Sequence, residues 1–248
     1  RSNPILQHLR SIKEPEEIEL LQKACNITEK GVRRLLSFVK PGVWEYEIEA
    51  ELMHEFLRNR SKGFAYTPII ASGENANVLH YIANNMQCKD GDVILLDVGA
   101  EYANYSSDLT RMIPVNGKFT ARQKEIYNAV LDMKNFATSL LVPGNNWYDY
   151  HKECGEFYTS KFLELGLLDK ADVQNQDKNW PAYKKYMMHG TSHHLGLDTH
   201  DYGILKDKFV ENMVFTVEPG IYLPAEGFGV RIEDDMVIQN SGPAFNLM

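Results

Sequence analysis

The sequence predicts an α+β domain made of two similar halves. Three observations carry that expectation. Two amphipathic helical stretches are followed by strand-like segments, and the same order then repeats. Pro-Gly pairs punctuate both halves, at Pro41-Gly42 and Pro143-Gly144. The run Val93-Ile94-Leu95-Leu96 is continuously apolar up to Asp97, as a strand buried on both faces would be.

Along the chain, residues 1–13 are mixed in character. Pro15-Glu16-Glu17 opens a helix, because proline suits a first turn and acids suit the positive end of the dipole. Ile18, Leu21, Cys25, Thr28, Val32, Leu35 and Leu36 follow at helical spacing until Pro41-Gly42. A second helix is expected from about Trp44 to Arg60, with Ile48, Leu52, Phe56 and Leu57 on one face. Strands are expected at Thr67–Ala71, Val93–Gly99 and Leu109–Val115. Thr120 caps a helix running to about Leu141, and another covers about Trp147 to Leu165. Residues 169–185 are polar and read as a surface insertion or a lid. Strands resume at Met213–Val217 and Gly229–Ile238.

Composition narrows the function. The chain has 248 residues and a net charge of -8, and an acidic surface argues against non-specific nucleic-acid binding, which needs Lys and Arg. No apolar run approaches the ~20 residues of a membrane span. Cys25, Cys88 and Cys154 are odd in number, widely spaced and without a CxxC, which predicts free buried thiols in a reducing compartment, the cytoplasm.

Five residues suited to metal binding recur in apolar or Gly-rich surroundings: Asp97 in LLDVG, Asp108 in SSDLTR, His193 in GTSHHLG, Glu218 in TVEPGIY and Glu233 in VRIEDD. A buried carboxylate needs a cation or hydrogen bonds. Four of them with one imidazole carry too much negative charge for a site without cations, which points to a hydrolase with two divalent metals. A hairpin centred on Tyr102-Ala103 would put Asp97 directly opposite Asp108. A second, turning at Ala225–Gly227, would put Glu218 opposite Glu233. Opposed β-carbons lie about 4.5–5.5 Å apart, which suits metals ~3.5–4 Å apart. On a strand, His189 and His193 share a face and His194 points away. His80 and His200 are near enough to join the same cavity. Arg231, two residues before Glu233, shares its face and either pairs with a carboxylate or orients substrate.

The stretches LLDVGAEYANYSSDLTRMIPVNGKFTARQKEIY, MMHGTSHHLGLDTHD, TVEPGIY and GVRIEDDM closely resemble the catalytic domain of the Xaa-Pro aminopeptidase and prolidase family, the pita-bread metallopeptidases. The opening LRSIKEPEEIELLQKACNITEKG is similar to the start of that domain. The resemblance implies a pita-bread fold, two pseudo-symmetric halves around a curved, mainly antiparallel sheet, as one catalytic domain over residues 1–248 without the family's N-terminal domain. It implies that Asp97 holds one ion, that Asp108 and Glu233 bridge both, and that His193 and Glu218 complete the other, with Mn²⁺ the favoured metal and Zn²⁺ or Co²⁺ possible. It gives His80, His189 and His200 substrate contact or proton transfer, and Arg231 support of the site. Glu218 is also the candidate general base or proton shuttle. The expected substrate is a peptide with proline in second position, cleaved by an aminopeptidase or alternatively a dipeptidase, with a homodimer as the full-length form. A binding module reusing the fold would have lost ligands, and all five are present. Tyr81, Tyr202 and Phe228 are candidate walls for a proline pocket.

Overall fold

The computed structural model describes residues 3–248. Arg1 and Ser2 lie outside the described residues. Helices α1 (Asn3–Ser11), α2 (Pro15–Phe38) and α3 (Glu45–Arg58) precede strands β1 (Gly63–Phe64), β2 (Ile69–Ser72), β3 (Val93–Val98), β4 (Ala100–Tyr102), β5 (Tyr105–Ser106) and β6 (Leu109–Pro114). The second half repeats the order with α4 (Ala121–Ser139), α5 (Trp147–Glu164) and the short α6 (Lys170–Gln174). Strands β7 (Val214–Val217), β8 (Gly220–Leu223), β9 (Phe228–Arg231), β10 (Asp234–Val237) and β11 (Phe245–Asn246) follow. α1 falls within the mixed stretch 1–13, where no helix was expected.

The helices form where local chemistry asks for them. The Thr120 hydroxyl accepts the Gln123 N–H, and the Gln123 side chain returns the favour to the Thr120 N–H, a reciprocal cap that opens α4. Asn146 caps α5 through the N–H groups of Tyr148 and Asp149.

All strand ladders are antiparallel, and each half is built on one long hairpin. In the first, one register runs from Val93–Pro114 to Tyr102–Tyr105. In the second, one register runs from Val214–Val237 to Leu223–Phe228. β2 flanks β3, and the extended segment 191–195 flanks β7 in the same way, with His193 O accepting from Thr216 N and Leu195 N donating to Val214 O. The halves join where Glu233 N donates to Thr110 O, 3.1 Å away.

β3 shows why its sequence is apolar throughout. Ile94, Leu96 and Val98 pack against α2 and α3 with Leu35, Ile48, Leu52 and Phe56. Val93 and Leu95 face the other core, with Ile126, Val130, Tyr150 and Phe162 of α4 and α5. Alternation then puts Asp97 on the Val93–Leu95 face, toward the molecule's middle.

The first hairpin corrects the expected register. Its turn is Ala103-Asn104, both left-handed at φ 52° and 71°, the two-residue geometry that suits strand twist. Asp97 therefore pairs with Thr110, and Asp108 is its diagonal neighbour on the same face. The second hairpin has the expected register. Its turn is closed by Gly227 at φ 73°, and Glu218 and Glu233 stand in line between the Val217–Asp234 and Gly220–Arg231 pairs.

Gly99 sits between Asp97 and the first turn. A Cβ there would lie 1.7 Å from the Ser107 carbonyl oxygen. Gly99→Ala should therefore cost at least about 3 kcal/mol, read as a fall in urea midpoint.

Residues 169–185 form a surface insertion rather than a lid. Tyr183 meets Tyr158 of α5 edge-on, and no residue of the segment lines the large cavity described below. Cys25, Cys88 and Cys154 are free and buried. No described helix is long and apolar enough to cross a membrane.

Candidate metal centre

A cavity of about 750 Å³ opens over the joined hairpins. It is lined by all nine residues singled out from the sequence, His80, Asp97, Asp108, His189, His193, His200, Glu218, Arg231 and Glu233. The metal-ligand candidates and Arg231 come from both halves. Asp97 comes from β3, and Asp108 from the break between β5 and β6. His193 comes from the segment flanking β7, Glu218 from the end of β7, and Arg231 and Glu233 from the end of β9 and beyond.

The acids are closely knit. The Tyr66 hydroxyl lies 2.6 Å from Oδ1 of both Asp97 and Asp108 and shares its one proton between them. Arg231 Nη2 donates to Asp97 Oδ2. The Thr110 hydroxyl donates to Glu233 Oε2 at 2.7 Å. His193 Nδ1 bonds the His194 carbonyl at 3.0 Å, so Nδ1 carries the proton and Nε2 faces the carboxylates, 3.4 Å from Asp108 and 3.8 Å from Glu218. Asp108, His193 and Glu233 each present a ligand atom within 4.8 Å of the others.

The electrostatics are those of a crowded acidic site. Burial, aided by Asp108, holds the Asp97 carboxyl above its usual range despite Arg231. Burial raises Glu218 to about 7. Burial and the charges of Asp108, Glu218 and Asp97 push Glu233 well above the carboxylate range. Burial opposes the His193 cation, yet Asp108 and Glu218 outweigh it and raise the imidazole to about 9. Glu233 Oε1 is buried with no hydrogen-bond partner among the described residues. Crowded acids, with Glu233 Oε1 unpartnered among them, form a donor set that fits divalent cations.

The neighbouring wall is a directed chain of hydrogen bonds. Arg231 Nη1 donates to the Tyr222 hydroxyl at 2.7 Å, Tyr222 donates to His189 Nε2 at 2.7 Å, and His189 Nδ1 donates to the Gly190 carbonyl at 2.7 Å. Burial and the Arg231 charge lower His189 to about 3, so it stays neutral. Both its nitrogens are engaged, whereas the exposed His80 and His200 make no side-chain hydrogen bond among the described residues. The His200 ring stands 4.3 Å from that of His193. His194 turns away as expected and packs against Trp147 and Phe215.

Some members were not expected from the sequence. Tyr66 has no local signal in GFAYTP and arrives through the β1–β4 pairing. Thr110 and Tyr222 were readable in principle: Thr110 pairs with Asp97 in the true register, and Tyr222 belongs to TVEPGIY. Asp235, fully buried, accepts the Asp108 N–H at 2.9 Å and the Cys25 thiol at 3.3 Å. The aromatic candidates for a proline pocket are corrected, since none lines the cavity. The Tyr81 hydroxyl bonds Glu45, Tyr202 lies under Arg10, and Phe228 is core. Apolar lining comes instead from Ile69, Leu79 and Ile82.

Residues 19–240 match the description of metallopeptidase family M24. A Haemophilus influenzae Xaa-Pro aminopeptidase is 42% identical over 96% of this chain and 58% of its own length. A mouse Xaa-Pro dipeptidase is 34% identical over 97% of this chain and 58% of its own. A structure of a glutamate-to-alanine variant of Escherichia coli aminopeptidase P in complex with substrate superposes with a TM-score of 0.91 at 38% identity, over 99% of this chain and 58% of that one. The chain thus spans little more than half the length of the relatives it matches, and it shares their pita-bread fold.

Proposed function

Since the chain belongs to metallopeptidase family M24, we propose that it is the catalytic domain of a metallo-exopeptidase that releases the N-terminal residue from peptides with proline in second position. One observation carries the reading: four acids and one imidazole from both halves line one cavity wall, a crowding of acids that divalent cations would relieve. Asp97, Asp108, His193, Glu218 and Glu233 would hold two divalent ions, and a carboxylate-rich set favours Mn²⁺, with Zn²⁺ or Co²⁺ as substitutes. Bound there, such cations would neutralise the acids, polarise a carbonyl and make water acidic enough to react near neutral pH.

The chain's own groups do the rest. Glu218, 3.8 Å from both His189 and His193, takes a proton from water and passes it toward the departing nitrogen. His80 and His200, unengaged at the wall, donate to the substrate's oxygen or nitrogen. Arg231, through Tyr222, holds His189 in one tautomer and beside Glu218, 3.8 Å away. The nitrogen of an Xaa-Pro bond has no N–H, so recognition rests on shape, which Ile69, Leu79 and Ile82 supply. The free buried thiols support a reducing compartment, the cytoplasm, and a homodimeric full-length form belongs to the same reading.

The similarity to the mouse Xaa-Pro dipeptidase favours a second reading, in which the substrate is the dipeptide. Rates on Gly-Pro and on Gly-Pro-Xaa separate the two. The aminopeptidase reading expects release of glycine from the longer peptide, abolished by chelator and restored by Mn²⁺. Faster cleavage of Gly-Pro supports the dipeptidase, and no metal-dependent cleavage of either contradicts both.

A further inference from the structure

His80 reaches the cavity from a stretch, 78–86, that contains no helix or strand. A side chain without a hydrogen bond of its own takes its position from whatever holds its backbone. Here that is a buried carboxylate. Glu45, the first residue of α3, is 0% exposed. Its Oε1 accepts from the Ser72 N–H at 2.8 Å and from Asn75 Nδ2 at 3.2 Å. Its Oε2 accepts from the Tyr81 hydroxyl at 2.8 Å and the Met86 N–H at 2.9 Å. These four bonds grip the chain on both sides of His80, one of them at the adjacent residue. The Glu45 N–H adds a fifth link, to the Met86 carbonyl at 3.0 Å.

A carboxylate has about four lone-pair sites, and a buried one is tolerated where they are used. Glu45 spends them on the 72–86 segment and not on the open N–H groups of its own helix. Burial and Glu45 push the Tyr81 hydroxyl up to about 12, so it remains a donor at any working pH. We infer that Glu45 is a positioning residue, which acts through the Tyr81 hydroxyl and the loop ends to hold His80, between Leu79 and Ile82, at the substrate cavity. Leu79-His80-Tyr81 then has a division of labour, with His80 facing the cavity and Tyr81 tethering it to Glu45.

The role of His80 rests on the exopeptidase reading, so the test uses two readouts. Tyr81→Phe and Glu45→Gln are made alone and with His80→Ala. Amide exchange by mass spectrometry should speed up about tenfold over 78–86, with α4 and α5 unchanged. Unchanged exchange in that stretch overturns the tether whatever the enzyme does. With an Xaa-Pro peptide, kcat/KM should fall about fivefold in each single variant. In the His80→Ala background the same changes should have less than about a twofold effect. An equal fall in both backgrounds overturns the link to His80. If the unaltered protein cleaves no Xaa-Pro peptide, the exopeptidase reading fails and the exchange result still decides the tether. Tyr81→Phe removes one hydroxyl and keeps the test alive should Glu45→Gln fail to fold.

Discussion

Asp108→Ala should lower turnover of an Xaa-Pro peptide by about a thousandfold or more and strip the protein of divalent metal. Changes to groups that only support a ligand typically cost about 10–100-fold in metal affinity, and direct removal of a donor costs more. Asp108 is central by geometry. It shares the Tyr66 proton with Asp97, and its Oδ2 lies 3.4 Å from His193 Nε2. It belongs to the trio whose ligand atoms meet within 4.8 Å. Its charge is among the causes that raise Asp97, Glu218 and Glu233. Without metal, losing Asp108 relieves repulsion on Asp97, Glu218 and Glu233 but takes a carboxylate from His193. The two effects oppose each other, so the variant in chelator should melt close to unaltered protein in chelator. Activity and stability should therefore part company, lost catalysis with an intact fold. Retained turnover, or a collapsed fold, contradicts the assignment.

Arg231→Met should do the reverse to the metal-free protein. Arg231 is 3% exposed and meets Asp97, Tyr222 and Thr110. Its removal leaves Asp97 buried beside other acids without its guanidinium partner. Breaking one side of a buried ion pair costs about 3–5 kcal/mol. The unfolding free energy from urea titration in chelator should fall by that amount, and saturating Mn²⁺ should recover much of it, because cations then supply the missing positive charge. A loss of the same size with and without metal would mean that Arg231 serves packing alone. His189 should also lose its fixed tautomer, since Tyr222 would no longer be held from the Arg231 side.

The sequence carried much of this, and the physical reasons for its gaps are specific. Asp97, Glu218 and Glu233 were legible as candidate donors because each follows apolar residues with a charge that a core does not accept alone. Asp108 in SSDLTR and His193 in GTSHHLG were legible from the resemblance of their motifs. The second hairpin was legible in register because its turn is closed by Gly227, a residue suited to the left-handed conformation it adopts. The first was misread by two positions because Ala103 is not an obvious left-handed residue, and Asn104 was the only cue to the true turn. The error kept the correct face, since a two-residue shift preserves alternation. Tyr66 was invisible for another reason: it joins the site through contacts to Asp97 and Asp108, distant in sequence, and no local pattern marks it. Asp235 lay in the quoted VRIEDD stretch, but its bond to the Asp108 N–H depends on the joining of the two halves. The aromatic pocket failed because richness in aromatics near a motif says nothing about direction, and Tyr81 and Phe228 point elsewhere.

The most direct test is diffraction from crystals grown with Mn²⁺, with anomalous data collected at the manganese edge. Two anomalous peaks should appear in the cavity, between Asp97, Asp108, His193, Glu218 and Glu233. No peak there, or metal held by other side chains while the enzyme turns over, would contradict the account.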